Sequence, residues 1–88
     1  MIAKKFTINC AVGLHARPAS VLVDEAGKYK SDILMKHNTK QMSVKSIIGV
    51  MALGVKSGDD VELIVNGEDE NSAMERLTTF FEQEIQSL

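Results

Sequence analysis

GLHARPASVLVDEAG, Gly13 to Gly27, is the stretch from which the rest of the chain can be read. Its first half gathers a histidine, an arginine and the only proline within four residues. Its second half has helical periodicity: Ala16, Ala19, Leu22, Val23 and Ala26 recur at three-and-four spacing, with Arg17, Ser20, Asp24 and Glu25 elsewhere. This predicts an amphipathic helix from Ala16 that Gly27 terminates. Pro18 is tolerated because it lies in the first turn, where its missing N–H has no intrahelical partner to lose.

Before this helix the period changes to two. From Ile2 to Cys10, Ile2, Phe6, Ile8 and Cys10 share one parity and Lys5, Thr7 and Asn9 the other, with Lys4 the single break. A strand with one buried face is expected there. After the helix, Ile33, Met35 and His37, then Met42 and Val44, read as two short strands around a polar turn from His37 to Lys40. Ile47 to Leu53 fits a short helix capped by Ser46 and closed by Gly54, although Gly49 weakens its interior. Val61, Leu63 and Val65 form a further alternating strand, bounded by Ser57-Gly58-Asp59 and by Gly67. The last element, Glu70 to Gln86, carries Ala73, Met74, Leu77, Phe80, Phe81 and Ile85 at helical spacing, with Asp69 as N-cap.

The order is strand, helix, strand, strand, helix, strand, helix. Alternating strands have one packed and one wet face, so three helices with one apolar stripe each share the packed face of an α+β domain. One domain, residues 1–88, is expected: 88 residues with 44% hydrophobic side chains suffice for a single core. Such a small body works from its surface.

A net charge of -2, no Trp and few other aromatics argue against nucleic-acid binding. One cysteine, Cys10, cannot form an internal disulfide and fits a reducing cytoplasm as a buried small hydrophobe. The first residues, MIAKKFTINC, lack a signal-peptide pattern, and no segment has the ~20 apolar residues of a membrane span. A cytoplasmic location without membrane insertion is expected. His37 has no Cys or carboxylate cluster at ligand spacing, so no metal site is assigned.

Chemistry concentrates at the first helix start. Unpaired backbone N–H groups there favour an anion, and His15 falls at or just before the N-cap. Imidazole can act as an uncharged nucleophile near neutral pH, and Arg17 adds a fork of donors suited to phosphate oxygens. Phosphoryl transfer depends chiefly on positioning and charge stabilisation, so an exposed site that a partner completes can serve. These residues point to a transient phosphohistidine at His15.

GLHARPAS, followed about thirty residues on by VKSIIGVMALGV, Val44 to Val55, resembles the histidine-containing phosphocarrier (HPr) family of the phosphoenolpyruvate-dependent sugar phosphotransferase system. The resemblance spans essentially the whole chain. It implies an open-faced β-sandwich, a four-stranded antiparallel sheet covered on one face by three helices. It further implies that His15 takes a phosphoryl group on Nδ1 from phospho-Enzyme I and passes it to sugar-permease IIA units, with Arg17 assisting the phosphate. A carrier of this kind holds no cofactor and is not a stand-alone enzyme. Monomers suffice for such a shuttle.

Ser46 is explained structurally as an N-cap, and the resemblance adds a second role. A phosphate at a helix start is favourably placed. In the form of the family this stretch most resembles, the serine is the target of the bifunctional HPr kinase/phosphorylase. The modified protein is then corepressor for a catabolite control repressor. Ile47, Ile48, Val50, Met51 and Leu53 cover more than one side of the short helix, which composition reads equally as ordinary surface apolarity or as a docking patch; the resemblance implies the patch, with Ile47, Ile48 and Met51 meeting partners and Ser20 on the first helix also facing them.

Three positions depart from the family: Val12 where a small polar residue is frequent, Ser43 in place of a common asparagine, and Ala52 in place of a frequent serine. They raise a rival, an HPr-like regulatory paralogue that works through phospho-Ser46 in catabolite repression. Such paralogues lack the active histidine, which this chain retains. A small metallochaperone of ferredoxin-like shape is disfavoured because no Cys-x-x-Cys is present.

Overall fold

A computed structural model describes residues 1–88. Four strands, β1 (Ile2–Thr7), β2 (Asp32–His37), β3 (Lys40–Ser43) and β4 (Asp60–Asn66), form one sheet in the order β1-β4-β2-β3, all neighbours antiparallel. The helices are α1 (Ala16–Ala26), α2 (Ile47–Ala52) and α3 (Glu70–Thr79). α1 packs on both α2 and α3, and α3 lies against β1 and β4.

The register shows how the alternation builds the core. Ile2 pairs with Val65 and Val65 with Ile33; Lys4 pairs with Leu63, Leu63 with Met35 and Met35 with Met42. Phe6, Val61, Leu63, Val65, Ile33 and Met35 are buried under Leu22, Ala26, Val50, Ala73 and Leu77 of the helices. The opposite face carries Lys5 and Lys36, each paired with Glu62. This is the open-faced sandwich expected, with helices on one side of the antiparallel sheet.

Lys4, the break in the pattern, keeps its amine at the rim. The ammonium lies 5.3 Å from the Phe6 ring centroid and 3.6 Å from Glu82, so its stem covers apolar surface while its charge stays solvated.

Several boundaries differ from those expected. β1 ends at Thr7 rather than at Cys10, because Ile8 leaves the ladder to exchange hydrogen bonds with the turn before β4: its N–H donates to Asp59 O (2.8 Å) and its carbonyl accepts from Gly58 N–H (2.8 Å). Ile8 and Cys10 stay buried all the same. Gly27 ends α1 with right-handed dihedrals, φ -65°, not the left-handed cap that glycine usually supplies. The hairpin turn is tighter than His37 to Lys40, because those two residues already pair; Asn38 (φ 56°) and Thr39 make the connection. β3 begins at Lys40, and Val44 continues it with a single bond to the Ile33 carbonyl, 3.0 Å.

The last helix also departs from uniform α geometry. After Thr79 it widens into a π turn over Phe80–Glu84 and then tightens into a 3-10 turn over Ile85–Ser87. Apolar spacing cannot distinguish these ladders, since Leu77, Phe80, Phe81 and Ile85 face inward in both. Phe81 stacks on Phe6 at 4.8 Å and meets Phe80 edge to face at 5.1 Å, contacts worth ~0.5–1.5 kcal/mol each beyond simple burial. Arg76 ties this end down through a forked pair with Glu84 (2.8 and 3.0 Å) and a bond to Glu25 of α1 (3.2 Å). The Arg76 hydrogen bond holds the Glu25 carboxyl below its ordinary range despite partial burial.

Asp69 lies at the N-cap of α3 but does not cap it. Its carboxylate instead accepts from the Ser31 hydroxyl (2.5 Å) and from the N–H groups of Ser31 (2.9 Å) and Lys30 (2.8 Å). Those bonds, the Ser31 hydroxyl first, hold its pKa at about 2. The chain passes so close here that a Cβ on Gly67 would lie 2.6 Å from Ser31 Cα. Asp69 thus fastens α3 to the entrance of β2.

Candidate functional site

The site is built from the loop that carries the chain from β1 into α1. Gly13 has φ +67° and faces a wall: a Cβ there would lie 2.6 Å from Val55 O and 2.9 Å from Lys56 Cα. Glycine is required on both counts. Leu14 is buried and donates its N–H to Val55 O (3.1 Å), while Gly13 N–H donates to Cys10 O (2.9 Å). His15 therefore leaves a braced backbone.

His15 is the N-cap of α1, extended at φ -85° and ψ -165°, and its carbonyl accepts the Ala19 N–H at 2.9 Å. Its side chain makes no capping bond and is exposed. Pro18 and Ala19 are buried beneath it, so the proline that fixes the helix start also anchors it to the core. The first turn of α1 holds no acidic residue. Arg17 is exposed and forms neither an ion pair nor a hydrogen bond within the chain. The result is an exposed imidazole at an uncapped helix start, with a free guanidinium and no competing carboxylate in that turn.

Ser46 occupies the N-cap of α2, where its hydroxyl accepts from Gly49 N–H at 3.1 Å. Gly49 is explained by its neighbours: a Cβ would come within 3.1 Å of Met42 Cε and 3.3 Å of the Ser46 oxygen. On α2, Gly49 and Val50 face the core, while Ile47, Ile48 and Met51 are exposed, Ile48 by 79%. Ser20 is exposed on α1, which packs on α2, so these residues share one helical layer. Val12, 59% exposed, extends the apolar surface along the loop and brings no polar side-chain atom toward His15.

His37 is buried, with Nδ1 3.0 Å from Leu53 O and Nε2 3.1 Å from Asp59 Oδ2. The sequence reading puts His37 at the hairpin turn; it is instead the last residue of β2, with its side chain buried. Asp59, distant in sequence, was not recognisable as its partner. Two shallow depressions occur elsewhere, about 290 Å³ beside Lys5, Lys36, Asn38 and Glu62, and about 340 Å³ beside Tyr29, Ser72 and Arg76. Neither includes His15, Arg17 or Ser46. No helix is long and apolar enough to cross a membrane.

Comparison with known proteins gives this geometry a context. The family profile described as "PTS HPr component phosphorylation site" matches residues 2–83. The chain belongs to the HPr family. HPr-family phosphocarrier proteins are not catalysts in themselves, and their setting is the phosphotransferase system. The HPr-like protein Crh of Bacillus subtilis (strain 168) is 39% identical over 85 residues, covering 97% of this chain and all of that protein. Among solved structures, HPr-C-His from Thermoanaerobacter tengcongensis superposes with a TM-score of 0.90 at 39% identity, covering 93% of this chain and 92% of that one. The phosphocarrier protein HPr from Bacillus anthracis str. Ames gives 0.87 at 31% identity, with 92% and 96% covered.

Two features of these HPr relatives bear on expectations from sequence. Crh of Bacillus subtilis is described as a catabolite repression protein, so the neighbourhood includes regulators as well as carriers. Its crystal structure shows a swapped dimer, and a dimer of the Thermoanaerobacter protein is also known. Dimers thus occur among relatives of this chain, for which a monomer is expected from sequence.

Proposed function

We propose that this chain is a phosphocarrier that accepts a phosphoryl group on His15 from phospho-Enzyme I and passes it to sugar-permease IIA units. The observation that carries this reading is the exposed, unbonded imidazole of His15 at the uncapped, acid-free start of α1, with Arg17 unpaired beside it in sequence. In the transfer the unprotonated Nδ1 attacks phosphorus, a new N–P bond forms as the donor's bond to phosphorus breaks, and the ring proton stays on Nε2. The helix-start amides and Arg17 stabilise the phosphoryl oxygens. Enzyme I completes the site, docking on Ile47, Ile48 and Met51 with Ser20 at the margin. The carrier needs no cofactor of its own, does not bind nucleic acid directly, and works in the cytoplasm as a monomer formed by one domain, residues 1–88.

A regulatory layer falls on Ser46. Phosphorylation there by HPr kinase/phosphorylase would replace the hydroxyl that now accepts from Gly49 and put dianionic charge on the docking face. The modified form would engage a catabolite control repressor and accept phosphate poorly from Enzyme I.

The second reading, a paralogue acting mainly through phospho-Ser46, is favoured by the likeness to Crh. The retained His15 with its unobstructed ring weighs for the carrier. The experiment is phosphate mapping after separate incubation with phosphoenolpyruvate plus Enzyme I and with the serine kinase. Acid-labile, base-stable phosphate on His15 is expected in the first. Transfer that survives His15→Ala would overturn the carrier reading, and label on Ser46 alone would favour the regulator.

A further inference from the structure

The segment between α2 and β4, residues 53–59, is held at both ends by one side chain. His37, only 8% exposed, meets the Leu53 carbonyl at 3.0 Å through Nδ1 and the Asp59 carboxylate at 3.1 Å through Nε2. Both neighbours are acceptors. A carbonyl cannot donate, and Asp59 is held below the ordinary carboxylate range, first by the Lys56 N–H and then, against desolvation, by His37. One ring thus bridges a backbone carbonyl at the start of the segment and a carboxylate at its end.

The segment so held is the wall behind the His15 loop. The Asp59 oxygen that meets His37 also accepts Lys56 N–H at 3.0 Å, and the Asp59 N–H donates to Lys56 O at 3.0 Å. Asp59 O and Gly58 N–H hold Ile8 at 2.8 Å each. Midway, Val55 O accepts from Leu14 N–H, and the Val55–Lys56 backbone lies where any Cβ on Gly13 would clash. A chain of hydrogen bonds thus runs from His37 through Asp59 to Lys56, and the adjoining Val55 bonds Leu14, the residue before His15, while Gly13 packs against the same backbone.

We propose that His37, bridging the Leu53 carbonyl and the Asp59 carboxylate, is a positioning residue for His15. The proposal rests on His15 being the phosphoryl acceptor. The charged groups on the elements packed around His37 are Asp59 and Lys56 on the loop and Lys40 directly across the hairpin. α2 carries none, and Asp60 and Glu62 of β4 alternate toward the open sheet face.

His37→Gln keeps one donor and tests the positioning. The folded variant is expected to shift the amide resonances of Gly13, Leu14 and His15 and to accept phosphate about tenfold more slowly in kcat, with KM for Enzyme I unchanged because the α2 patch is untouched. Unmoved resonances with an unchanged rate overturn it. Should His37→Gln not fold, Asp59→Asn carries the same readouts. If wild-type protein takes no phosphate on His15, the carrier reading fails, while the amide shifts still judge this chain of bonds independently.

Discussion

α1 and α2 begin in opposite ways. At α2 the Ser46 hydroxyl closes the helix start on itself by accepting from Gly49 N–H. At α1 the N-cap side chain, His15, makes no such bond, and no acid substitutes for it. An N-cap bond is worth ~1 kcal/mol, so α1 forgoes a stabilisation that α2 takes. The loss is offset by fixing the backbone instead: Pro18 is buried in the first turn and Gly13 is wedged against Val55 and Lys56. An open helix start held by its flanks is ready for an anion supplied from outside. A closed one is stable by itself and can be switched only by changing the cap.

The largest effect expected from this contrast is at the open start. His15→Ala should abolish acid-labile labelling from phosphoenolpyruvate plus Enzyme I, while the melting temperature changes little because the ring makes no capping bond. A large drop in melting temperature would mean that the α1 start was closed after all.

Next comes the brace. Gly13→Ala must accommodate φ +67° and a 2.6 Å approach to Val55 O, so a destabilisation of more than ~1 kcal/mol is expected in denaturant titration. Transfer should fall more than stability accounts for, because His15 is displaced. Ile47→Glu should weaken binding to Enzyme I about tenfold by calorimetry, ~1.4 kcal/mol, and leave the unfolding midpoint unchanged. Equal affinity would take the α2 surface out of the interface.

Ser46→Ala should cost about 1 kcal/mol of stability and remove labelling by the serine kinase, leaving His15 labelling intact. The smallest effect concerns the third helix start, where Asp69 faces away from α3. Its pKa of about 2 lies below the ordinary ~3.9, so its stabilising contribution is complete above ~3.9 and disappears as pH falls through about 2. Asp69→Asn should be less stable than wild type at neutral pH, and the two stabilities should converge below that window in pH-dependent denaturation. A constant gap would show that carboxylate charge is not what fastens α3 to Ser31.

Much of this was legible from residue order. Alternation at Phe6 and Ile8, at Ile33 and Met35 and at Val61 to Val65 marked the packed face, and the GLHARPAS stretch located the helix start with its exposed histidine. Ser46 as a cap followed from a polar residue before an apolar run. What stayed hidden depends on distance in space. Nothing local to Asp69 reveals that Ser31 and Lys30 will arrive beside it, so its preference for capping was overridden by tertiary partners. Nothing local to His37 announces Asp59, and the wall behind Gly13 exists only because Val55 and Lys56 return to it. The widening after Thr79 escaped notice for a different reason: both helical ladders send Phe80, Phe81 and Ile85 inward.

The strand order has a consequence for synthesis. β4, second in the sheet between β1 and β2, is the last strand to leave the ribosome, and β1 must wait for it across roughly sixty residues, Ile2 for Val65. During translation the emerging chain can offer only the β2–β3 hairpin and isolated helices, none of which is durable alone. Assembly is therefore delayed until nearly the whole polypeptide is free, and in that interval an unmatched first strand is open to the corresponding edge of another nascent copy.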